Sequence, residues 1–275
     1  MQEANQGRRV MEKKGSPASR ACFHYIIGGN SLNFAQIMKK FLLRYIRRCG
    51  YDLHALPLQS LSLRDLHYDL PQLVGKADPL IFDIGANKGQ TIEKMTAIFP
   101  KCRLRAFEPD IELASKLEAN YATPLIKIEP FALGAKVCQN QFFRYENNEL
   151  NSFLELTPDQ GNPFAAVQVK SQSTVKVDTV DDYCRANGIQ AVDVLKIDTQ
   201  GFDLEVLKGA EALLTARAIT VVLVEVNFMT LYKSQCTAGQ LIDWLGSLGY
   251  APLAFYEQVR LKHALSWVNA CFVRS

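Results

Sequence analysis

The sequence predicts a doubly wound, mostly parallel α/β sheet that begins near Asp78 and follows an N-terminal helical extension. Two observations predict this fold. After Pro79, short apolar runs alternate with amphipathic stretches, which is the pattern of βαβ units. The first run is joined to the first amphipathic stretch by a glycine-rich turn, as expected where a buried strand turns tightly into a helix. The chain has 275 residues, 48% of them hydrophobic, and is long enough to bury such a core.

The segment before the sheet divides into two parts. Residues 1–33 are basic and polar without a sustained period, which predicts a disordered or loosely attached leader. Residues 34–77 form the predicted helical extension, and Met38 is an alternative first residue. One helical stripe is formed by Phe34, Ile37, Phe41 and Tyr45. We interpret this helix as packing on the main domain, 78–275; the alternative is a weak membrane-surface contact of the basic segment 34–48.

Charge and cysteine usage exclude several classes of protein. Residues 1–48 carry a net charge of +8, whereas residues 49–275 carry −5, so the main domain lacks the basic surface of a nucleic-acid-binding protein. The seven cysteines form no CxxC pair, which argues against a zinc site and a disulfide framework. No apolar run reaches the roughly 18 residues that span a bilayer. We therefore expect a cytoplasmic protein.

The main domain contains alternating predicted strands and helices. Strands are predicted at 79–83, 103–107, 125–128, 192–197, 219–226, 250–256 and 267–273. Helices are predicted at 90–99, 111–120, 180–187, 203–214 and 237–248. The polar interval 145–172 is long for a loop inside a compact domain, and loops of this length are usually functional. We predict that this interval is a lid over the substrate site.

The turn after the first strand, within LIFDIGANKGQ (80–90), predicts the kind of ligand that binds there. Gly85 and Gly89 permit a tight turn and a close approach of the backbone to a ligand. A dinucleotide site favours G-x-G-x-x-G, but Asn87 occupies its second glycine and Asp83 would repel a pyrophosphate. The same aspartate favours the ammonium and sulfonium of S-adenosylmethionine. A nicotinamide-dependent oxidoreductase is the alternative that this turn disfavours.

A second carboxylate follows the next predicted strand. Glu108, in the sequence Phe-Glu-Pro-Asp, lies 19 residues beyond Gly89. Doubly wound folds place an acidic residue at about this distance, where it accepts hydrogen bonds from ribose hydroxyls. Pro109 then starts the following helix. The order and spacing of both motifs predict a nucleoside-binding site.

Four strings resemble the FkbM family of S-adenosylmethionine-dependent methyltransferases: FDIGANKGQ, FEPD, VDTVDDYC and VLKIDTQGFDLEVLKGAEALL. The resemblance covers roughly residues 78–226. It implies a seven-stranded, Rossmann-like methyltransferase sheet. It also implies O-methylation of a hydroxyl on a sugar, polysaccharide or other secondary-metabolite-like acceptor, so that the partner is a small molecule or glycan.

The resemblance also assigns cofactor contacts residue by residue. The methionine end is implied to lie against Asp83, Gly85, Ala86, Asn87 and Gly89. The ribose is implied at Glu108 and Pro109, and adenine at Phe131, Ala132 and Leu133. One departure is Gln200, where many family members have Glu. That difference leaves a non-catalytic binding protein with the same fold as an alternative.

The predicted catalytic residues follow the strand at 192–197 and end the strand at 219–226. Ligands bind at the carboxyl edge of such sheets, which places Asp198 and Glu225 near one another. An unactivated alcohol needs a base, for which we predict Asp198 first and Glu225 second. Lys196 shares a strand face with Asp198 and is the predicted electrostatic partner. A buried pair that only positions the loop is the alternative.

A metal-assisted route is a second mechanistic alternative. Asp198, Glu225 and Asn227 together offer oxygen ligands that suit Mg²⁺. The sequence contains no HxH motif or dense acidic cluster, so we do not include a metal in the predicted site. His263 lies in a basic turn and is predicted to be solvated rather than catalytic.

Overall fold

The computed structural model describes residues 8–13, 23–25, 51–56 and 61–275. The chain divides into two compact units, 1–69 and 70–275. In the first unit, β1 (Arg8–Lys13), β2 (Phe23–Tyr25) and β3 (Tyr51–Leu56) form an antiparallel sheet in the order β2-β1-β3. The sequence analysis did not predict these short strands, although β3, with the sequence YDLHAL, alternates apolar and polar residues over its first five positions. The predicted helix at 34–48 lies outside the described residues, and the domain boundaries remain predictions.

From residue 66 onward the elements follow in the order α1 (Leu66–Val74), β4 (Leu80–Ile84), α2 (Gln90–Ile98), β5 (Arg103–Phe107), α3 (Ile111–Tyr121), β6 (Ile126–Glu129), β7 (Ala132–Leu133), β8 (Cys138–Tyr145), β9 (Val169–Asp178), α4 (Val180–Ala186), β10 (Val192–Ile197), α5 (Asp203–Lys208), α6 (Glu211–Thr215), β11 (Ile219–Asn227), α7 (Ala238–Ser247), β12 (Tyr250–Leu261) and β13 (Ala264–Arg274). A 3₁₀ turn, Asn148–Leu150, follows β8. None of the helices in the described part of the chain combines the length and apolarity needed to span a bilayer.

The main sheet has seven strands in the order β12-β13-β11-β10-β4-β5-β6. The five strands from β11 to β6 run parallel, and β13 and β12 pair antiparallel at one edge. The predicted mostly parallel, doubly wound sheet is therefore confirmed. The strand order reverses between β4 and β10, and ligands of such sheets bind beyond the carboxyl ends of the strands at that point.

The central strands form because their sequences are nearly continuous apolar runs, as expected for parallel strands covered on both faces. All five residues of β4 and five of the six in β10 are buried. Two buried charged residues interrupt these runs: Asp83 of β4 and Lys196 of β10 lie opposite one another in the strand register. Buried charge is unfavourable unless it is paired or functional. These two buried charged residues therefore indicate where the candidate functional site lies on the sheet.

One predicted helix is wrong. The sequence predicted a single helix over 203–214, but α5 ends at Lys208 and α6 begins at Glu211. The break falls at Gly209, where an added Cβ would lie 2.0 Å from the carbonyl oxygen of Gly134. The backbone of a neighbouring segment therefore occupies the space beside this part of the chain.

A small sheet in the order β7-β9-β8 was not predicted. Its strand β9 is largely exposed and polar, so it lacks the apolar pattern that marks the main strands. Strands β8 and β9 are antiparallel, and the predicted lid interval connects them. At the other end of the chain, β12 and β13 join through Lys262 and His263, both with positive φ, and His263 is exposed as expected.

Candidate active site

The turn after β4 is shaped by three residues with left-handed backbone: Gly85 (φ 88°), Asn87 (φ 48°) and Gly89 (φ 96°). The Gly85 N–H donates to the Phe107 carbonyl oxygen at 3.0 Å, which fixes the turn to the end of β5. An added Cβ at Gly85 would lie 1.9 Å from the Asp198 carbonyl oxygen. The glycine turn therefore packs directly against the end of β10, and only glycine fits there.

Asp83 is fully buried beside this turn, and neither carboxylate oxygen has a hydrogen-bond partner within the described structure. Burial raises the pKa of Asp83 to about 7, although the nearby Lys196 ammonium lowers it. The Thr91 hydroxyl lowers the pKa further, but its geometry falls short of a hydrogen bond. A buried carboxylate without donors suits a cationic ligand, because positive charge would stabilise its ionised form.

Glu108 is held rigidly at the end of β5. Its Oε2 accepts the Asn87 N–H and its Oε1 accepts the Asp110 N–H, both at 2.8 Å. The side chain is buried, and burial raises its pKa to about 7. Each carboxylate oxygen keeps a lone pair for a further donor. This arrangement fits a carboxylate positioned in advance for two ribose hydroxyls.

The residues implied to lie against adenine are only partly accessible. Ala132 and Leu133 are buried in β7, and Leu133 belongs to the main core. Phe131 is half-buried, stacks edge-to-face on Phe107 with ring centroids 5.7 Å apart, and carries the Lys176 ammonium 4.7 Å from its ring centre. Phe131 therefore offers the accessible apolar surface of this segment, and its contact with adenine remains a proposal.

We predict that Glu108→Ala weakens S-adenosylmethionine binding by about 1–3 kcal/mol, because charged hydrogen bonds to two hydroxyls are lost. Isothermal titration measures this as a rise in Kd of about 5-fold to 150-fold. The matched control is Glu112→Ala, which removes an exposed carboxylate on the same segment and should leave the Kd unchanged. Equal affinity of a folded Glu108→Ala variant and the unmodified protein would remove Glu108 from the ribose site.

The raised pKa values of Asp83 and Glu108 also predict a pH dependence. Both carboxyls bind protons more tightly when folded than when unfolded, so their contribution to stability is complete below about pH 4 and is lost as pH rises through about 7. A cationic ligand favours ionised Asp83, so cofactor affinity should rise between about pH 6 and about pH 8. Titration calorimetry near pH 6.5 in two buffers of different ionisation enthalpy would detect the released proton; no proton release would contradict this prediction.

The carboxyl ends of β10 and β11 bring the predicted catalytic residues together. Lys196 Nζ lies 3.3 Å from Asp198 Oδ2, and Gln200 Nε2 donates to Asp198 Oδ1 at 2.9 Å. The same Gln200 amide lies 3.5 Å from Glu225 Oε1, which also accepts Asn227 Nδ2 at 3.1 Å. The Lys196–Asp198 contact is as the sequence predicted, whereas the bridge through Gln200 was not anticipated.

This edge carries more negative than positive charge. Burial and the neighbouring carboxylates of Asp198 and Asp203 raise the pKa of Glu225 well above its usual value. Burial raises the pKa of Asp203 to about 6. Burial disfavours charged Lys196, but four surrounding carboxylates outweigh it and raise the pKa of its ammonium. The ammonium thus remains charged, and additional positive charge at this edge would be favourable.

Two functional candidates escaped the sequence analysis. Asp203 is buried and holds the turn after β10, because its carboxylate accepts the N–H groups of Thr199 and Gly201. Tyr232 is fully buried, and its hydroxyl lies 2.9 Å from Gln200 Oε1. The Asp203 carboxylate accepts N–H groups that precede it and does not cap the following helix, so the usual N-cap signal does not identify this residue. No local signal identifies Tyr232, since it comes from a distant loop.

The first half of the predicted lid, residues 145–157, forms a strap that contacts both parts of the site. On the cofactor side, Asn87 Nδ2 donates to the Asn148 carbonyl oxygen at 2.9 Å. On the acidic side, Ser152 Oγ donates to the Gln200 carbonyl oxygen at 2.8 Å. The strap therefore joins the glycine turn to the acidic edge, a position consistent with a lid.

The metal alternative has little support from the side chains themselves. Within the described part of the chain, no three His, Cys, Asp or Glu side chains are grouped as a metal site. The acidic edge instead contains internal donors, since Gln200 and Lys196 both donate to Asp198. These donors occupy directions in which a cation would otherwise meet the carboxylate oxygens.

Comparison with known proteins identifies this arrangement. The family described as Methyltransferase FkbM domain matches residues 83–252, more than half of the chain. The chain belongs to the FkbM methyltransferase family. The resemblance found in the sequence is thereby confirmed. The family supports methyltransferase activity rather than the alternative of a nicotinamide-dependent oxidoreductase. The methyl donor is S-adenosylmethionine, and the buried Asp83, the glycine turn and Glu108 fit that cofactor.

Two curated relatives are methyltransferases by name. 2-O-methyltransferase NoeI of Sinorhizobium fredii is 25% identical over 199 residues, which are 70% of this chain and 79% of that protein. Methyltransferase sdnD of Sordaria araneosa is 29% identical over 171 residues, 52% of this chain and 64% of that protein. Among solved structures, the FkbM methyltransferase of Methylobacillus flagellatus is 14% identical with a TM-score of 0.44, and the match covers 72% of this chain and 44% of that one.

Proposed function

We propose that this FkbM methyltransferase transfers the methyl group of S-adenosylmethionine to a hydroxyl oxygen of a sugar, polysaccharide or similar polyhydroxylated product. One observation carries the proposal: the glycine turn touches the backbone of Asp198, so the candidate base adjoins the cofactor site. Transfer to an alcohol needs a base within reach of the reacting oxygen, and a carboxylate at this position meets that need.

The side chains have separate roles in the proposed reaction. When bound, S-adenosylmethionine supplies an electrophilic methyl group. Asp198, whose side chain is 35% exposed, would accept the proton of the acceptor hydroxyl as the hydroxyl oxygen bonds to the methyl carbon, while the bond from that carbon to sulfur breaks and leaves a neutral thioether. Lys196 and Gln200 hold the two oxygens of Asp198 in place. Glu225, whose pKa is raised by burial and by the neighbouring carboxylates, is the second candidate base.

Aromatic side chains beside the acidic edge support a saccharide acceptor. Trp267 lies opposite Asn227 in the β11–β13 register, and cross-strand partners share one face of a sheet. The Phe164 ring, from the lid interval, lies 6.2 Å from that of Trp267, and both are half-buried. The Asn227 Oδ1 is buried without a hydrogen-bond partner in the described structure. An aromatic surface beside a polar edge suits the apolar face of a sugar ring. The relative NoeI is a 2-O-methyltransferase by name, which agrees with an oxygen acceptor.

A transfer assay tests the proposal. The purified chain is incubated with methyl-labelled S-adenosylmethionine and a panel of methyl glycosides, oligosaccharides, phenols and primary amines. We expect labelled ether products from the saccharides, located by mass spectrometry of the fragments. Label on nitrogen, or on phenols alone, would contradict the acceptor class. Cofactor binding without transfer to any compound in the panel or in cell extract would favour the non-catalytic alternative.

A further inference from the structure

The acidic edge is organised around one amide group. Gln200 Nε2 faces two carboxylates, Asp198 at 2.9 Å and Glu225 at 3.5 Å, while its Oε1 faces the Tyr232 hydroxyl at 2.9 Å. Gln200 has a left-handed backbone (φ 54°), and its carbonyl oxygen accepts Ser152 Oγ. Separate contacts thus hold the backbone carbonyl, the amide nitrogen and the amide oxygen of Gln200.

The orientation of this amide is determined from both sides. If the amide were reversed, its oxygen would face two carboxylates, and its NH₂ group would face the Tyr232 hydroxyl. Burial raises the pKa of Tyr232, so the phenol keeps its proton and can donate it to Gln200 Oε1. The Leu150 carbonyl, 3.2 Å from the same hydroxyl, is the other acceptor within reach. A hydroxyl that donates to Leu150 could still accept from a reversed amide, so Tyr232 does not select the orientation by its single hydrogen alone. The shorter distance to Gln200 Oε1 and the two carboxylates that face Nε2 together favour the orientation described.

We propose that Gln200 is a positioning residue for proton transfer, and that Tyr232 helps to fix which side of its amide faces Asp198 and Glu225. The donated N–H stabilises Asp198 as the charged base. It also separates two carboxylates that would otherwise repel each other across the edge. This inference rests on the proposed function, in which Asp198 removes the acceptor proton.

The charged groups around Asp198 define what the amide adds. Lys196 meets Oδ2, whereas the carboxylates of Asp83, Asp203 and Glu225 lie near enough to interact with Lys196 or with one another. Within the described part of the chain, Lys196 is the cation that interacts with all four carboxylates. The Gln200 amide is a second donor to Asp198, and it adds no charge that would compete for the cationic cofactor.

Three variants and one control test the role of the amide. Gln200→Met preserves length but removes both polar atoms, Gln200→Glu replaces the donor with a third carboxylate, and Tyr232→Phe removes only the phenol hydroxyl. The matched control is Tyr250→Phe, because Tyr250 is also fully buried and donates to the Ile219 carbonyl at 2.6 Å, away from the acidic edge. Each protein is labelled with ¹³C at Asp and Glu side-chain carboxyls, and the Asp198 signal is identified by its absence in Asp198→Asn.

We expect the titration midpoint of the Asp198 carboxyl signal to rise by about one pH unit in Gln200→Met, the shift that corresponds to losing one charge-assisted hydrogen bond. Gln200→Glu should give a larger rise, Tyr232→Phe a smaller one, and Tyr250→Phe none. The pH dependence of kcat is measured with a saccharide that the unmodified protein methylates. Its acid-side midpoint should rise in the same order among the variants, while the KM for S-adenosylmethionine stays constant.

An unchanged Asp198 midpoint in folded Gln200→Met would overturn the proposal, as would an equal shift in Tyr250→Phe. The carboxyl titration needs no acceptor, so it decides the role of Gln200 even if transfer to saccharides is not observed. Failure of the proposed function and failure of this inference are therefore separate results.

Discussion

Methyl transfer by Asp198→Asn is expected to fall by roughly 10²–10⁴, the contribution typical of a general base. Asparagine preserves the shape of the side chain but cannot accept the acceptor proton. The packing contact between Asp198 and the glycine turn is made by the backbone carbonyl, which the substitution preserves, so the Kd for S-adenosylmethionine should change little. Turnover, cofactor affinity and melting temperature are measured on the same preparation.

The structural alternative predicts a different result. If Asp198 only neutralised Lys196, its loss would leave a buried unpaired charge and cost about 3–5 kcal/mol of stability. The surroundings argue for a smaller loss, because Asp198 is 35% exposed and Lys196 keeps Asp83, Glu225 and Asp203 as neighbours. A metal ligand would give a third result, in which Mg²⁺ dependence is lost together with activity.

Asp193→Asn is the matched control for this experiment. Lys76 and Asp193 form a second lysine–aspartate pair, with 2.7 Å between Nζ and Oδ2, but Asp193 lies near the amino end of β10, at the opposite end of that strand from the acidic edge. This control should retain full turnover. Near-normal turnover of a folded Asp198→Asn protein would refute the assignment, and Glu225 would become the candidate base.

The main sheet could be predicted from the sequence because its strands are short buried apolar runs. Strand β4 illustrates this: all of its residues are buried, and the helix after the glycine turn begins at Gln90 as predicted. The break between α5 and α6 could not be predicted, because it depends on the Gly134 backbone, which is distant in sequence from Gly209. The polar strand β9 gave no apolar period to detect.

In the candidate site too, local sequence motifs identify some residues, whereas other contacts join residues that are distant in sequence. Asp83 and Glu108 stand in local motifs, and the β4–β10 register explains why Lys196 lies beside Asp83. The contact between Tyr232 and Gln200 joins two loops that the fold alone brings together. Sequence patterns therefore located the charged groups, whereas their hydrogen-bond partners came from tertiary structure.

Charge links the cofactor site to the chemistry. Asp83, Asp203 and Glu225 all have pKa values raised by burial, so the protein without ligand holds these carboxyls at a cost in free energy. The methyl donor is cationic and reduces that cost when it binds. After transfer, the sulfur centre loses its positive charge, and the attraction between product and site weakens. We therefore infer that the acidic edge favours S-adenosylmethionine over the product cofactor.

Gly85→Ala is expected to weaken S-adenosylmethionine binding by about 10²-fold or more and to lower the melting temperature. The new Cβ would lie 1.9 Å from the Asp198 carbonyl oxygen, so either the glycine turn or the end of β10 has to move. Overpacking of this kind costs about 1–3 kcal/mol. The left-handed backbone at Gly85 (φ 88°) adds about 1–2 kcal/mol of strain for a residue with a side chain.

Gly188→Ala separates these two contributions. Gly188 also has a left-handed backbone (φ 65°), but an added Cβ would have no heavy atom within 4 Å. The control therefore carries the strain without the collision, and it should lose some stability while binding cofactor normally. If Gly85→Ala lowers the melting temperature no more than Gly188→Ala and binds S-adenosylmethionine with unchanged Kd, the glycine turn does not hold the methionine end. If cofactor affinity falls only in Gly85→Ala, the contact between the glycine turn and the Asp198 backbone holds the bound cofactor and the candidate base in their relative positions.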